Sequence, residues 1–192
     1  RVMHGLCERK LHHVQQHLKR YVDDGKLPGY LCLVSRRGAE ALFLAHGSMD
    51  VARGRPVARD TVFRIYSMTK PITGMAAMML VDERKLRLDQ PIADFLPKFA
   101  HMRVQKTYDG PITDVEAALQ PITVRHLVTH TSGLGYSIVQ QGPIKEAYEA
   151  AGLVPGQISR LALPGLFGRG KAVDSLELFA DALADMPLVY QP

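Results

Sequence analysis

Tryptophan is absent from this chain, cysteine occurs twice, and no apolar run approaches the roughly 20 residues a helix needs to cross a bilayer. Two cysteines allow one pairing, and 192 residues can bury enough core to need no staple. Cys7 and Cys32 therefore read as reduced, apolar side chains. The N-terminal stretch shows no apolar signal region, so the cytoplasm is the default expectation. The chain begins with Arg1 rather than methionine, which leaves open an upstream segment and a periplasmic location. Positive charge predominates, with 24 lysines and arginines against 19 acidic residues, yet the basic residues occur only in short pairs such as Lys19-Arg20 and Arg36-Arg37. No basic run is interleaved with aromatics, so a solvated surface is expected and a nucleic-acid partner is not.

Several familiar chemistries are missing as well. There is no Gly-x-Ser-x-Gly elbow of the kind that exposes a serine above an α/β-hydrolase sheet. His126 and His130 stand four apart, as metal ligands on a helix can, but no His-Glu-x-x-His pattern or third ligand accompanies them, so no metal is expected. The glycine-rich Gly165–Gly170 segment follows no strand and opens no periodic helix, which argues against a phosphate cradle. No cofactor is expected.

What is present is Ser67-Met68-Thr69-Lys70 at the head of an apolar helical run. The pattern alone is common: seven serines and nine lysines yield a Ser-x-x-Lys by chance in roughly one such chain in three. Its surroundings carry more. Residues 60–66 read as a short extended segment, and Ile72, Met75, Ala76, Met79 and Leu80 then recur at helical spacing. Met78 and Val81 fill the other face, which predicts a helix buried nearly all round. Pro71 fits the first turn, where an N–H has no intrahelical partner to lose. A hydroxyl and an amine thus lie one turn apart at a helix start. A serine hydroxyl needs a base, and lysine serves as one only when desolvation and the positive helix end lower its proton affinity. Burial of Lys70 against the methionine-rich wall is the expected means, and the Ser67 N–H is the expected donor to an oxyanion. The plainer alternative is a surface lysine beside a capping serine.

Elsewhere, Leu11, Val14, Leu18, Tyr21 and Val22 mark an amphipathic helix ending near Gly25. Residues 30–35 and 41–46 flank Arg36–Glu40 as a β-hairpin. Beyond Pro91 the pattern is helical with long connections. Thr123 is the expected N-cap of a helix over 124–130 that Ser132-Gly133 ends, and further helices are expected over 144–151 and 175–185. Residues 152–172, with five glycines and two prolines, read as a long loop.

Three ordered segments together resemble one family: Phe63-Arg64-Ile65-Tyr66-Ser67-Met68-Thr69-Lys70-Pro71-Ile72-Thr73; Lys85–Ile92 with Phe95-Leu96-Pro97; and Ile122–Leu134, which contains His130-Thr131-Ser132-Gly133-Leu134. They resemble the β-lactamase-related serine hydrolases, which include class C β-lactamases, D-alanyl-D-alanine peptidases and esterases. The resemblance implies an α/β, or α+β sandwich, fold: an antiparallel sheet flanked by helices, with a helical subdomain. This chain would be its N-terminal portion, with a partial α/β region over 1–90 and the helical subdomain over 91–192. It implies Ser67 as the acylated nucleophile and Lys70 as its base. It also implies a tyrosine motif and a late-strand motif that this sequence does not show. Tyr190 precedes the expected tyrosine, and neither Tyr136 nor Tyr148 has the matching context. A C-terminal segment or a second chain is therefore the expected partner. Arg84 stands where relatives often carry glycine. The expected function is hydrolysis of small carboxylic esters through an acyl-enzyme, with β-lactam or D-alanyl peptide hydrolysis as the alternative substrate class. The non-enzymatic alternative is a catalytically incomplete fragment or binding module on the same fold.

Overall fold

The structure is a computed structural model that describes residues 2–154 and 173–192. The glycine-rich segment, and all of the expected long loop beyond residue 154, lie outside the described residues. The chain divides into two compact units, residues 1–64 and 65–192.

In the first unit, two short antiparallel strands, β1 (Val2–Met3) and β2 (Leu6–Cys7), lead into helix α1 (Glu8–Asp23). Leu11, Leu18 and Val22 of the expected apolar stripe are half-buried, whereas Val14 and Tyr21 at its margin are exposed. The helix ends through Gly25 at φ 69°, with the Gly25 N–H on Val22 O and the Lys26 N–H on Tyr21 O, both at 2.9 Å. That left-handed stop is the conformation glycine adopts at least cost. Strands β3 (Gly29–Arg36) and β4 (Ala39–Asp50) form the expected hairpin. Its two turn residues, Arg37 at φ 53° and Gly38 at φ 77°, both take positive φ, the type I′ geometry that matches strand twist. The register shifts between Val34 and Ser35, and Ala41 and Leu44 are buried. The outer part of β4 pairs with β5 (Arg55–Pro56). Arg59 donates two hydrogen bonds of 2.8 Å to Glu40 and lies 3.7 Å from the Phe43 ring centroid. The shared hydrogen bonds hold the Glu40 carboxyl below, and the Arg59 guanidinium above, their ordinary values.

The second unit opens with a 3-10 turn at Tyr66–Met68 and helix α2 (Thr69–Asp82). Beyond it lie two further 3-10 turns, Ile92–Asp94 and Pro97–His101, and a small antiparallel pair, β6 (Arg103–Gln105) with β7 (Val115–Ala117). Helices α3 (Val124–Val128), α4 (Gly142–Ala151) and α5 (Leu176–Ala184) complete it. The second and third of the sequence segments singled out above are hydrogen-bonded side by side: the Ile92 N–H to Ile122 O, the Val124 N–H to Gln90 O and the Arg125 N–H to Leu88 O, at 2.9, 3.0 and 2.7 Å. Ile92, Phe99, Met102, Val104, Ile122, Val124 and Leu188 form one core, and Ile144, Tyr148, Leu153 and Val189 a second. Leu188 bridges to one edge of β6, donating to Arg103 O and accepting from the Gln105 N–H at 2.8 Å each. Gly133, at φ 77°, packs so closely on Tyr190 O that a Cβ has no room.

Two expectations about helices are corrected. The helix after Thr123 ends at Val128, not at Ser132-Gly133, because His130 turns left-handed at φ 59° and the Thr131 N–H reaches back to His126 O at 2.8 Å. More consequentially, α2 is not buried all round. It has no fully buried residue, and Ile72, Met75 and Met79 are 61, 65 and 59% exposed. Its half-buried side is the narrow one formed by Gly74, Ala77 and Val81. The large apolar side chains point to solvent because no layer of the described residues covers them.

Candidate active site

Ser67 lies in the 3-10 turn just outside α2, and Lys70 is the second residue of that helix. The Lys70 Nζ donates to the Ser67 Oγ at 2.9 Å. Three intervening steps of tight helical geometry stack the two side chains on one face, as the spacing predicts. Pro71 occupies the third helical position, still within the first turn. Among the described residues, neither the Ser67 hydroxyl nor the Lys70 amine has another side-chain partner. Both side chains are exposed, so the burial of Lys70 expected from the apolar sequence is not found. The same uncovered helix explains this: the methionines that were to wall the amine face solvent.

The residue before the nucleophile candidate carries a feature that sequence reasoning missed. Tyr66 has φ 46°, a left-handed conformation uncommon for a bulky side chain and costing on the order of 1–2 kcal/mol. No glycine or asparagine marks the position, so residue type offered no signal.

The remaining candidates have other duties. The Tyr190 hydroxyl donates to His130 O at 3.2 Å. Tyr148 is buried, its phenolic oxygen accepts from the Gly135 N–H at 3.0 Å, and burial pushes its pKa up to about 12. The Tyr136 N–H donates to the Gln140 side chain. His126 completes a capping box: its N–H donates to Thr123 Oγ1 at 3.3 Å and its Nδ1 accepts from the Thr123 N–H at 3.2 Å. Among the described residues no cluster of three or more metal-ligating side chains forms, and no helix is long and apolar enough to cross a membrane.

A hydroxyl bonded to an amine at the mouth of a helix, on a helical unit preceded by a helix and antiparallel hairpin, belongs with the β-lactamase/transpeptidase-like folds. The chain is a member of the family described as Beta-lactamase, whose model matches residues 14–192. An uncharacterised protein of Mycobacterium tuberculosis is 38% identical over 178 residues, covering 93% of this chain and 40% of its own length. Esterase EstB of Burkholderia gladioli is 38% identical over 116 residues, 60% of this chain and 26% of the esterase. Among solved structures, EstCE1, described as a hydrolase with promiscuous acyltransferase activity, superposes with a TM-score of 0.69 at 28% identity, covering 95% of this chain and 41% of that one. The chain thus spans about 40% of the length of the full-coverage relatives it matches.

Proposed function

We propose that Ser67 and Lys70 are the nucleophile and general base of a serine hydrolase acting on small carboxylic esters. The observation that carries this reading is the 2.9 Å contact between Lys70 Nζ and Ser67 Oγ. In the reaction the neutral amine accepts the hydroxyl proton across that contact as Oγ attacks the ester carbonyl. The Ser67 N–H at the positive end of α2 supports the developing oxyanion. Collapse of the tetrahedral intermediate expels the alcohol, which takes the proton from the Lys70 ammonium. Water then attacks the acyl-enzyme and releases the acid. Similarity to an esterase and to a hydrolase favours esters over β-lactam or D-alanyl peptide substrates.

Acyl transfer to an alcohol is the second reading, favoured by the similarity to a hydrolase with promiscuous acyltransferase activity. It differs only in the acceptor that attacks the acyl-enzyme. Intact-mass analysis after a fluorophosphonate, on the chain and on a form extended to its relatives' length, tests the assignment. One adduct lost in Ser67→Ala supports it, and an adduct that survives Ser67→Ala overturns it. Hydrolysis of p-nitrophenyl butyrate against a chromogenic cephalosporin separates ester from lactam, and product analysis with added alcohol detects transfer.

A further inference from the structure

Arg84, Lys85 and Arg87, close together in sequence, are joined on one groove by the distant Arg125. A shallow groove of about 580 Å³ is lined by Val81, Arg84, Lys85, Arg87, Asp89 and Arg125, among others, with four cationic side chains against a single carboxylate. Lys85 already holds Glu83 at 2.8 Å and Arg87 holds Asp89 at 3.5 Å. Among the described residues, Arg84 and Arg125 have no side-chain hydrogen bond or ion pair, so two guanidinium groups on one groove remain uncommitted.

Arg84 holds its place on the groove at a backbone cost. Arg84 occupies the left-handed stop of α2 at φ 58°, a position that favours glycine. Arg125 is the second residue of the five-residue helix α3 and is exposed.

The groove is also held firm. Its wall between Arg84 and Gln90 is tied to α2 by the Lys85 N–H on Leu80 O at 2.9 Å and to α3 by the Arg125 N–H on Leu88 O at 2.7 Å. Leu86 and Leu88 anchor it to the core.

We propose that this groove binds the phosphate group of a small phosphorylated molecule. Two planar guanidinium forks on one groove suit a tetrahedral, multiply charged anion better than a monoanionic carboxylate, and a preformed wall spares the cost of ordering it. The site is independent of Ser67 and Lys70. Thermal melts of the chain are titrated with sodium phosphate, and with sodium chloride and sodium acetate at matched ionic strength. Phosphorus-31 line broadening supplies a direct reading of binding. A saturable rise in Tm specific to phosphate is expected, with the apparent Kd weakened roughly tenfold or more in Arg84→Gln and in Arg125→Gln. Arg20→Gln, on α1, leaves it unchanged. Equal shifts with chloride or acetate, unaltered phosphate binding in both variants, or binding seen only to anionic phospholipid vesicles overturns the proposal.

Discussion

Replacing Arg84 with glycine isolates one energetic term at the end of α2. The helix closes with two bonds that define its stop: the Lys85 N–H on Leu80 O at 2.9 Å and the Arg84 N–H on Val81 O at 3.0 Å. Between them Arg84 is held at φ 58°, where an L side chain crowds its own backbone at a cost of about 1–2 kcal/mol. Glycine removes that cost but loses about 0.4–1 kcal/mol through its freer unfolded chain. The difference leaves Arg84→Gly more stable by up to about 1.6 kcal/mol, roughly 0.8 kcal/mol at the middle of the two ranges. Urea unfolding in phosphate-free chloride buffer measures it as a higher midpoint at unchanged slope. Arg84→Ala, which trims the side chain but keeps the Cβ, is expected to show no such gain. If Arg84→Gly is destabilised, or if Arg84→Ala gains equally, the left-handed strain is not the term at issue. In saturating phosphate the advantage of Arg84→Gly is expected to shrink, because the parent binds the anion more tightly and gains more from it.

Other substitutions probe the core and the nucleophile turn. Leu188→Ala, which empties a fully buried position between β6 and the 122–124 segment, is expected to cost about 2–5 kcal/mol, read as a lower urea midpoint. Tyr148 has a folded pKa raised to about 12 from 10.0, so its contribution is complete below pH 10 and is lost as pH climbs from 10 through about 12. Stability against pH should fall by up to about 2–3 kcal/mol in that window, and Tyr148→Phe should flatten that part of the curve. Tyr66→Gly is expected to slow acylation of Ser67 while leaving the protein as stable or more so, because the φ 46° conformation ceases to be imposed. An unchanged acylation rate separates the strain from the chemistry.

Periodic and punctuated stretches were legible in the sequence because their signals are local. Gly25 stops α1, Arg37-Gly38 turns the hairpin, Thr123 caps α3 and Ser175 accepts from the Leu178 N–H to cap α5 at 3.1 Å. The Ser67 to Lys70 contact was legible for the same reason, since three residues of helical backbone fix it. Left-handed stops at Arg84 and His130 were not, because residue type argues against them and only the closing hydrogen bonds impose them. The full cationic groove was illegible for another reason: Arg125 lies 41 positions from Arg84 in sequence and lines the same groove only through the pairing of the 88–92 and 122–125 segments. Burial of α2 failed because hydrophobic pattern states what a helix face wants, whereas exposure states what the described residues supply.

That last mismatch bears directly on the proposed chemistry. A lysine serves as a base toward serine when water is withdrawn from it, and the side chains placed to withdraw water are those of α2 itself. With Ile72, Met75 and Met79 more than half exposed, the apolar wall is present but unassembled. Covering α2 and activating the Ser67–Lys70 pair are therefore expected to be one event. Hydrogen exchange along 69–82 and fluorophosphonate labelling of Ser67, followed on the chain and on a form extended to its relatives' length, test the coupling. Protection of α2 and rapid labelling are expected to rise together in the extended form. The chain alone should exchange readily along α2 and label slowly. Rapid labelling of a chain whose α2 remains unprotected would show that the pair needs no apolar cover, and that its 2.9 Å geometry suffices.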